Sequence, residues 1–264
     1  MATSRIEQAP QVNRLRSLWA NGGCAFGAIA TIPSVQSVQV LARSGLDFMI
    51  VDMEHGPIDA SSAHAMIAAT GGTPLVPLVR VAGKEQWHAK IPLDLGAMGV
   101  CFPMTSCRVD AENVVKAVRY PPRGERYWGP FYAPLRWGMA MRDYLDGADD
   151  EVLAIGVIEH IDAVETAAEV VSTPGLDVVF IGPGDLATSM GLHGRSEHPD
   201  VQSAIARIEQ AVQGSPVVLG GVATNADQAR AMIDRGYRAL MIGFDWSLLQ
   251  RGIATTLEGM RGPA

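Results

Sequence analysis

Eight short apolar runs recur along the chain, at 24–31, 48–54, 73–79, 98–104, 152–159, 177–183, 216–222 and 239–245. They are rich in Val and Ile, and most do not alternate polar with apolar positions. That is how strands covered on both faces of a parallel sheet read. The first four are centred about 25 residues apart, the length of a β–loop–α–loop repeat. Helical stretches lie between the runs. VQSVQVLARSG ends on Gly45 and SSAHAMIAATGG on Gly71 and Gly72, while NADQARAMIDRG opens with Thr224 and Asn225 as capping candidates and stops at Gly236. Eight strands alternating with helices predict a closed (β/α)8 TIM barrel in preference to an open doubly wound sheet, because no strand leads into a dinucleotide glycine fingerprint.

Two connections are long. Residues 119–150 hold prolines, aromatics and several arginines; loops of that length are functional or disordered, and the aromatic content predicts an ordered loop over the active face. Segment 184–200, with its HGRSEHPD stretch, reads as solvent-exposed. Residues 1–22 read as an N-terminal helical extension, and a single barrel domain is expected over 1–264.

The length, 264 residues, suits one such barrel, and 48% hydrophobic with 19% charged residues excludes a disordered chain. A formal charge of −7 argues against a nucleic-acid partner. No apolar run approaches the roughly 18 residues of a membrane span, and the N-terminal stretch lacks the apolar centre of a signal peptide. Cys24, Cys101 and Cys107 show no metal spacing and read as reduced thiols. A cytoplasmic protein is therefore expected.

In a barrel, chemistry gathers at the C-terminal ends of the strands. Strand 2 ends in Asp52-Met53-Glu54-His55, strand 3 in Arg80, strand 5 in Glu159-His160, strand 6 in Gly182-Pro183-Gly184-Asp185 and strand 8 in Asp245. Glu159 and Asp185 each follow an apolar run. Two neighbouring carboxylates repel unless a cation sits between them, and such a pair suits Mg²⁺ or Mn²⁺. Alternatively each caps its following helix. His55 stands three residues beyond Asp52, a spacing that would let the carboxylate hold its imidazole for general-base work; a purely structural histidine is the other reading. Arg80 offers a planar fork for a carboxylate or enolate oxygen, or else a salt bridge to a nearby acid. The three lysines, Lys84, Lys90 and Lys116, all fall in the expected outer helices, so a Schiff-base mechanism is not expected. The GPGD amides could meet an anion at a helix start, although Gly-Pro-Gly is also an ordinary turn.

The blocks VDMEHGPID, PLVRV, RYPPRGER, VIEHIDAVE and FIGPGDLATSMG, in that order, make the chain resemble the HpcH/HpaI family of metal-dependent pyruvate aldolases, from FGAIAT to GFDWSLL. The resemblance implies a (β/α)8 barrel assembled as a hexamer, a trimer of dimers domain-swapped through the last helix. It implies Glu159 and Asp185 as ligands of Mg²⁺, Mn²⁺ or Co²⁺, His55 as acid/base with Asp52 as its partner, and Arg80 on the pyruvate oxygen. Asp94 matches a further acid, sometimes contributed across a subunit boundary, and the amides of Gly184 and Asp185 match those receiving the pyruvate carboxylate. The implied reaction is reversible cleavage of a 4-hydroxy-2-oxo acid to pyruvate and an aldehyde through a metal-bound enolate, with oxaloacetate decarboxylation as a side activity.

The chain departs from better-known members at Ile29 (commonly Trp), Val157 (Gln), His160 (Thr) and the YWGPF that follows RYPPRGER. These departures leave the enolate machinery alone and open the choice of aldehyde; an apolar or aromatic acceptor would suit Ile29, Val157, Tyr127 and Trp128. Two alternatives remain at this level. A citrate-lyase β-like acyl-CoA lyase would need a basic patch that the sparse lysines do not supply. A non-catalytic barrel binding a 2-oxo acid is opposed by the retained Asp52, His55, Arg80, Glu159 and Asp185.

Overall fold

Each apolar run supplies one strand, trimmed at its polar or proline ends. In the computed structural model, which describes residues 12–261, the strands are β1 (Ala25–Ala30), β2 (Phe48–Asp52), β3 (Val76–Arg80), β4 (Gly99–Phe102), β5 (Leu153–Ile158), β6 (Val178–Ile181), β7 (Val218–Val222) and β8 (Tyr237–Phe244). They pair in parallel and in sequence order, and β8 closes on β1. The expected (β/α)8 barrel is the fold. β2, β4, β5 and β6 are buried along their whole length, as unbroken apolar strands inside a ring of helices must be.

The helices are α1 (Arg14–Ala20), α2 (Val35–Leu41), α3 (Ala60–Ala68), α4 (Lys90–Asp94), α5 (Arg108–Val118), α6 (Ala133–Trp137), α7 (Met141–Glu151), α8 (Asp162–Val171), α9 (Pro183–Ser189), α10 (Pro199–Val212), α11 (Ala226–Asp234) and α12 (Asp245–Arg261). Asn225 caps α11 by accepting from the Gln228 amide at 2.9 Å, whereas Thr224 donates to the Gln228 side chain. Gly236 ends α11 at φ +105°, which a side chain would strain. Of the 1–22 extension, residues 12–22 fall among the described residues, and α1 is their helix.

Inside the barrel, large side chains face glycines on neighbouring strands. A Cβ on Gly27 would lie 2.4 Å from the Phe48 ring, and one on Gly220 would lie 2.4 Å from the Phe180 ring. Phe48 and Phe180 themselves lie 6.3 Å apart between centroids, and together they plug the lower barrel. The seam between the last strand and the first is held by Asp245, 5% exposed, which accepts from the Thr31 amide and hydroxyl at 3.1 and 2.8 Å and from the Ile32 amide at 2.9 Å. That use explains the acid at the end of strand 8 without chemistry. Beyond it, α12 exposes Trp246, Leu249, Ile253, Leu257 and Met260 along one stripe at helical spacing.

The long segment 119–150 differs from expectation. It contains α6 and most of α7, and it lies at the N-terminal end of the barrel rather than over the mouth. Trp137 donates to the carbonyl of Gly96, just ahead of β4, at 3.0 Å; Arg119 donates to that of Val152, just ahead of β5, at 2.8 Å. The reason is topological. The segment joins a helix to the next strand, and such connections return to the N-terminal ends. Tyr127 and Trp128, weighed above as lining for an acceptor, are exposed at this end and do not line their own barrel's mouth.

A charge network ties this end together. Asp177 accepts from Arg16 and Arg119 at 2.8 Å each and from the Ala154 amide at 2.8 Å. Burial pulls the Arg119 guanidinium below its usual range while Asp177 opposes the shift. Asp177→Ala leaves Arg119 buried without its carboxylate. It is expected to cost about 3 kcal/mol, several degrees in Tm by differential scanning calorimetry; an unchanged Tm would show the network to be dispensable.

Candidate active site at the barrel mouth

The polar tier at the C-terminal ends starts from strand register. Asp52 and Arg80 are direct partners across β2 and β3, so their side chains project side by side. Arg80 donates to Asp52 through Nε at 2.9 Å and Nη2 at 2.7 Å, a bidentate pair with Asp52 fully buried. Asp52 also accepts from the backbone amides of Glu54 and His55 at 3.1 and 3.3 Å. It therefore orders the turn after β2 and anchors Arg80.

The arrangement separates two residues that the spacing had joined. His55 meets Asp52 through its amide, while its imidazole turns away: Nε2 lies 3.9 Å from Glu54 Oε2 and the side chain is 64% exposed. The Asp52 carboxylate is already taken by Arg80. Glu54, which the sequence reading left without a role, stands in the cluster. Its Oε2 lies 3.2 Å from Arg80 Nε and is buried without a hydrogen bond of its own. Burial pushes Glu54 above the usual carboxylate range against the pull of Arg80. Glu54 lies in the turn after β2, beyond the reach of strand alternation; its only signal in the sequence was its place in the polar stretch that ends strand 2.

Glu159 follows β5 and is 4% exposed. Oε1 accepts from the Met104 amide at 2.7 Å. Met104 holds φ +52°, a conformation uncommon for a residue with a side chain, and it is the one non-glycine with positive φ among the described residues. Gly182 leaves the space on the other side: a Cβ there would lie 2.8 Å from Glu159 Oε2. Loss of solvation, reinforced by Glu54 and Asp185 and opposed by the Met104 amide, pushes Glu159 up to about 7.

Asp185 occupies the first turn of α9 and is exposed toward the mouth. Its carboxylate caps no amide of α9, for that helix has no side-chain cap. Glu159, Asp185 and Arg80 line one cavity of about 280 Å³ together with Gly182, Pro183 and Gly184. Among the described residues no three His, Cys, Asp or Glu side chains converge as a self-sufficient metal cage. Two hard oxygen donors beside open space fit a cation that takes its other ligands from substrate and water.

Asp94 is elsewhere. It ends α4 at the N-terminal side of the barrel, 3.4 Å from Arg126, and burial raises it while Arg126 lowers it. It does not meet Asp52, Arg80 or Glu159 in this chain.

Comparison with known proteins identifies the family. The model of the HpcH/HpaI aldolase/citrate lyase family matches residues 32–251. A hydroxypyruvate/pyruvate aldolase of Paraburkholderia phytofirmans is 31% identical, covering 94% of this chain and 98% of its own. A 4-hydroxy-2-oxo-heptane-1,7-dioate aldolase of Salmonella dublin is 33% identical over 82% of each chain. The crystal structure of a family protein from Burkholderia cenocepacia superposes with a TM-score of 0.88 at 32% identity, covering 95% of this chain and all of that one. The chain thus belongs to the HpcH/HpaI aldolase/citrate lyase family, and is a carbon–carbon lyase of the aldolase kind.

Proposed function

We propose that the chain reversibly cleaves a 4-hydroxy-2-oxo acid into pyruvate and an aldehyde, with a divalent cation (Mg²⁺, Mn²⁺ or Co²⁺) held by Glu159 and Asp185. The observation that carries this reading is Glu159. It is a buried carboxylate with one oxygen fixed by the Met104 amide and the other turned to a cavity that Asp185 also lines. The cation supplies a Lewis acid for the oxygens of the 2-oxo acid.

The chain's own groups do the rest. Arg80 is held rigid by Asp52, and its Nη1 carries no partner among the described residues, leaving donors for the 2-oxo oxygen where negative charge develops. The amides of Gly184 and Asp185, in the first turn of α9, receive the carboxylate. His55 is the candidate side chain for carrying the methyl proton to the new hydroxyl; its imidazole stands exposed at the rim and would have to turn inward, since it is not among the residues lining the cavity. Asp52 acts on His55 through the backbone alone. In the synthetic direction the enolate carbon attacks the aldehyde carbon; cleavage reverses that bond. Loss of carbon dioxide from oxaloacetate leaves the same enolate, so its decarboxylation belongs to this reading.

Assembly and location follow the same reading. The exposed stripe of α12 supports exchange of that helix between two copies within a hexamer, a trimer of dimers. Asp94, remote from its own mouth, would act at a neighbour's. No described helix is long and apolar enough to cross a membrane, and the three free thiols support a cytoplasmic setting.

Excess EDTA is expected to abolish pyruvate release from a 4-hydroxy-2-oxo acid, and Mn²⁺ or Mg²⁺ to restore it; full activity in EDTA removes the cation from the scheme. Arg80→Ala should slow exchange of pyruvate methyl protons with D₂O, followed by NMR, by about 100-fold or more; an unchanged rate takes Arg80 out of the mechanism. A third test concerns pH. Glu159 rises from 4.5 to about 7 on folding. Below pH 4.5 both states hold the proton; between 4.5 and about 7 only the native state does, so metal-free stability falls as pH rises through that window. Over the 7 − 4.5 = 2.5 units this amounts to at most about 3 kcal/mol. Glu159→Gln, which cannot titrate, should lose that slope in urea denaturation at pH 5 and 8, and an identical slope in both proteins would contradict the assignment.

A further inference from the structure

The cavity at the mouth is polar on one side only. Residues two positions below the polar tier project inward on the same face of their strands, and here that next layer is Ile29, Ile50, Val157, Phe180, Val222 and Met241, all lining the cavity. Ile29 and Val157 stand directly beneath Thr31 and Glu159 in this alternation. The charged lining groups are Arg80, Glu159 and Asp185, and Arg80 is already bound twice by Asp52. No lysine or second arginine lines this cavity.

The aldolase reading above uses every one of those charged groups on the head of the 2-oxo acid. On that reading the carbon that makes the new bond would face the boundary between the polar tier and the apolar layer. Whatever the aldehyde carries beyond its carbonyl meets hydrocarbon. A hydroxyl or a second carboxylate placed there would lose water and find no donor or counter-charge. An alkyl or aryl group would lose only its contact with water.

We propose that this apolar chamber receives the tail of the aldehyde, so that the chain's acceptors are alkyl or aryl aldehydes and its cleavage substrates carry a hydrocarbon group on C4. The proposal rests on the aldolase reading. Phe180 and Met241 set the depth of the chamber, and Ile29 and Val157 set its width next to the reacting carbon.

The test uses the Mn²⁺-loaded enzyme with pyruvate and two matched four-carbon acceptors, butanal and succinic semialdehyde, which differ in a methyl against a carboxylate at the far end. The expected result is a kcat/KM at least about 30-fold higher for butanal, and higher again for hexanal. Exchange of pyruvate methyl protons is followed in parallel without any aldehyde. Equal or reversed preference while exchange proceeds overturns the chamber's role and leaves the aldolase reading standing; absent exchange overturns both. Val157→Gln and Met241→Gln each put an amide into the chamber and are expected to lower the butanal-to-semialdehyde ratio about tenfold, a ratio internal to each variant and insensitive to the amount of folded protein. A ratio unmoved in both variants would refute the proposal. So would a preference for 2-oxohexanoate over pyruvate as donor with no selectivity among aldehydes, since the chamber would then serve the other reactant.

Discussion

At the mouth of the barrel, Asp52, Glu54, Glu159 and Asp185 stand around one guanidinium, Arg80, and the barrel is built to hold that imbalance in place. Asp52 is satisfied, with two arginine N–H groups and two backbone amides. The other three carboxylates share what remains of one positive charge. Moving an ionised carboxylate out of water costs several kcal/mol unless something compensates, and Glu159 responds by keeping its proton up to about pH 7. Titratable groups displaced in this way, inside a cleft, gather where chemistry is done. Here the displacement has a specific sense: the site holds more buried carboxylate than positive charge, which is the imbalance the proposed cation would offset.

The backbone around Glu159 is arranged for the same end. A positive φ at Met104 aims an amide at one carboxylate oxygen, and the absent side chain at Gly182 gives the other oxygen its room. Strain at Met104 and the close approach at Gly182 are both costs carried by neighbouring strands that are buried along their length, β4, β5 and β6. Rigid strands can hold a carboxylate in an unfavourable setting because they have nowhere else to go.

Much of this was legible in the chain. Unbroken apolar runs ending in an acid or an arginine gave the strands and the position of Asp52, Arg80, Glu159 and Asp185 at one end of the barrel. What stayed hidden depended on register and topology. That Arg80 would claim Asp52, leaving His55 to Glu54, follows from the pairing of β2 with β3, and three residues of spacing carry no trace of it. The amide of Met104 is invisible because a backbone dihedral has no letter in the sequence. The location of 119–150 was legible and was misread: aromatic content suggested a functional cover, but a helix-to-strand connection belongs to the opposite end. The fate of Asp94 follows the same rule, since α4 leads into β4 from the N-terminal side.

The two ends of the barrel treat charge in opposite ways, and that division explains how one chain tolerates its own mouth. At the N-terminal end Asp177 is met by Arg16 and Arg119, and Asp94 by Arg126, whose guanidinium also lies 4.4 Å from the centre of the Tyr120 ring. Each acid there has a guanidinium as its partner, although burial still raises Asp94 against the pull of Arg126. At the mouth the matching is incomplete, for Arg80 is the one guanidinium lining the cavity that Glu159 and Asp185 share. Binding there is thus coupled to stability: anything that supplies positive charge to Glu159 and Asp185 relieves an electrostatic cost that the folded chain otherwise bears alone. The apolar layer beneath sharpens the effect. It keeps water from solvating the carboxylates from below, so the relief must come from above, through the same opening by which substrate enters.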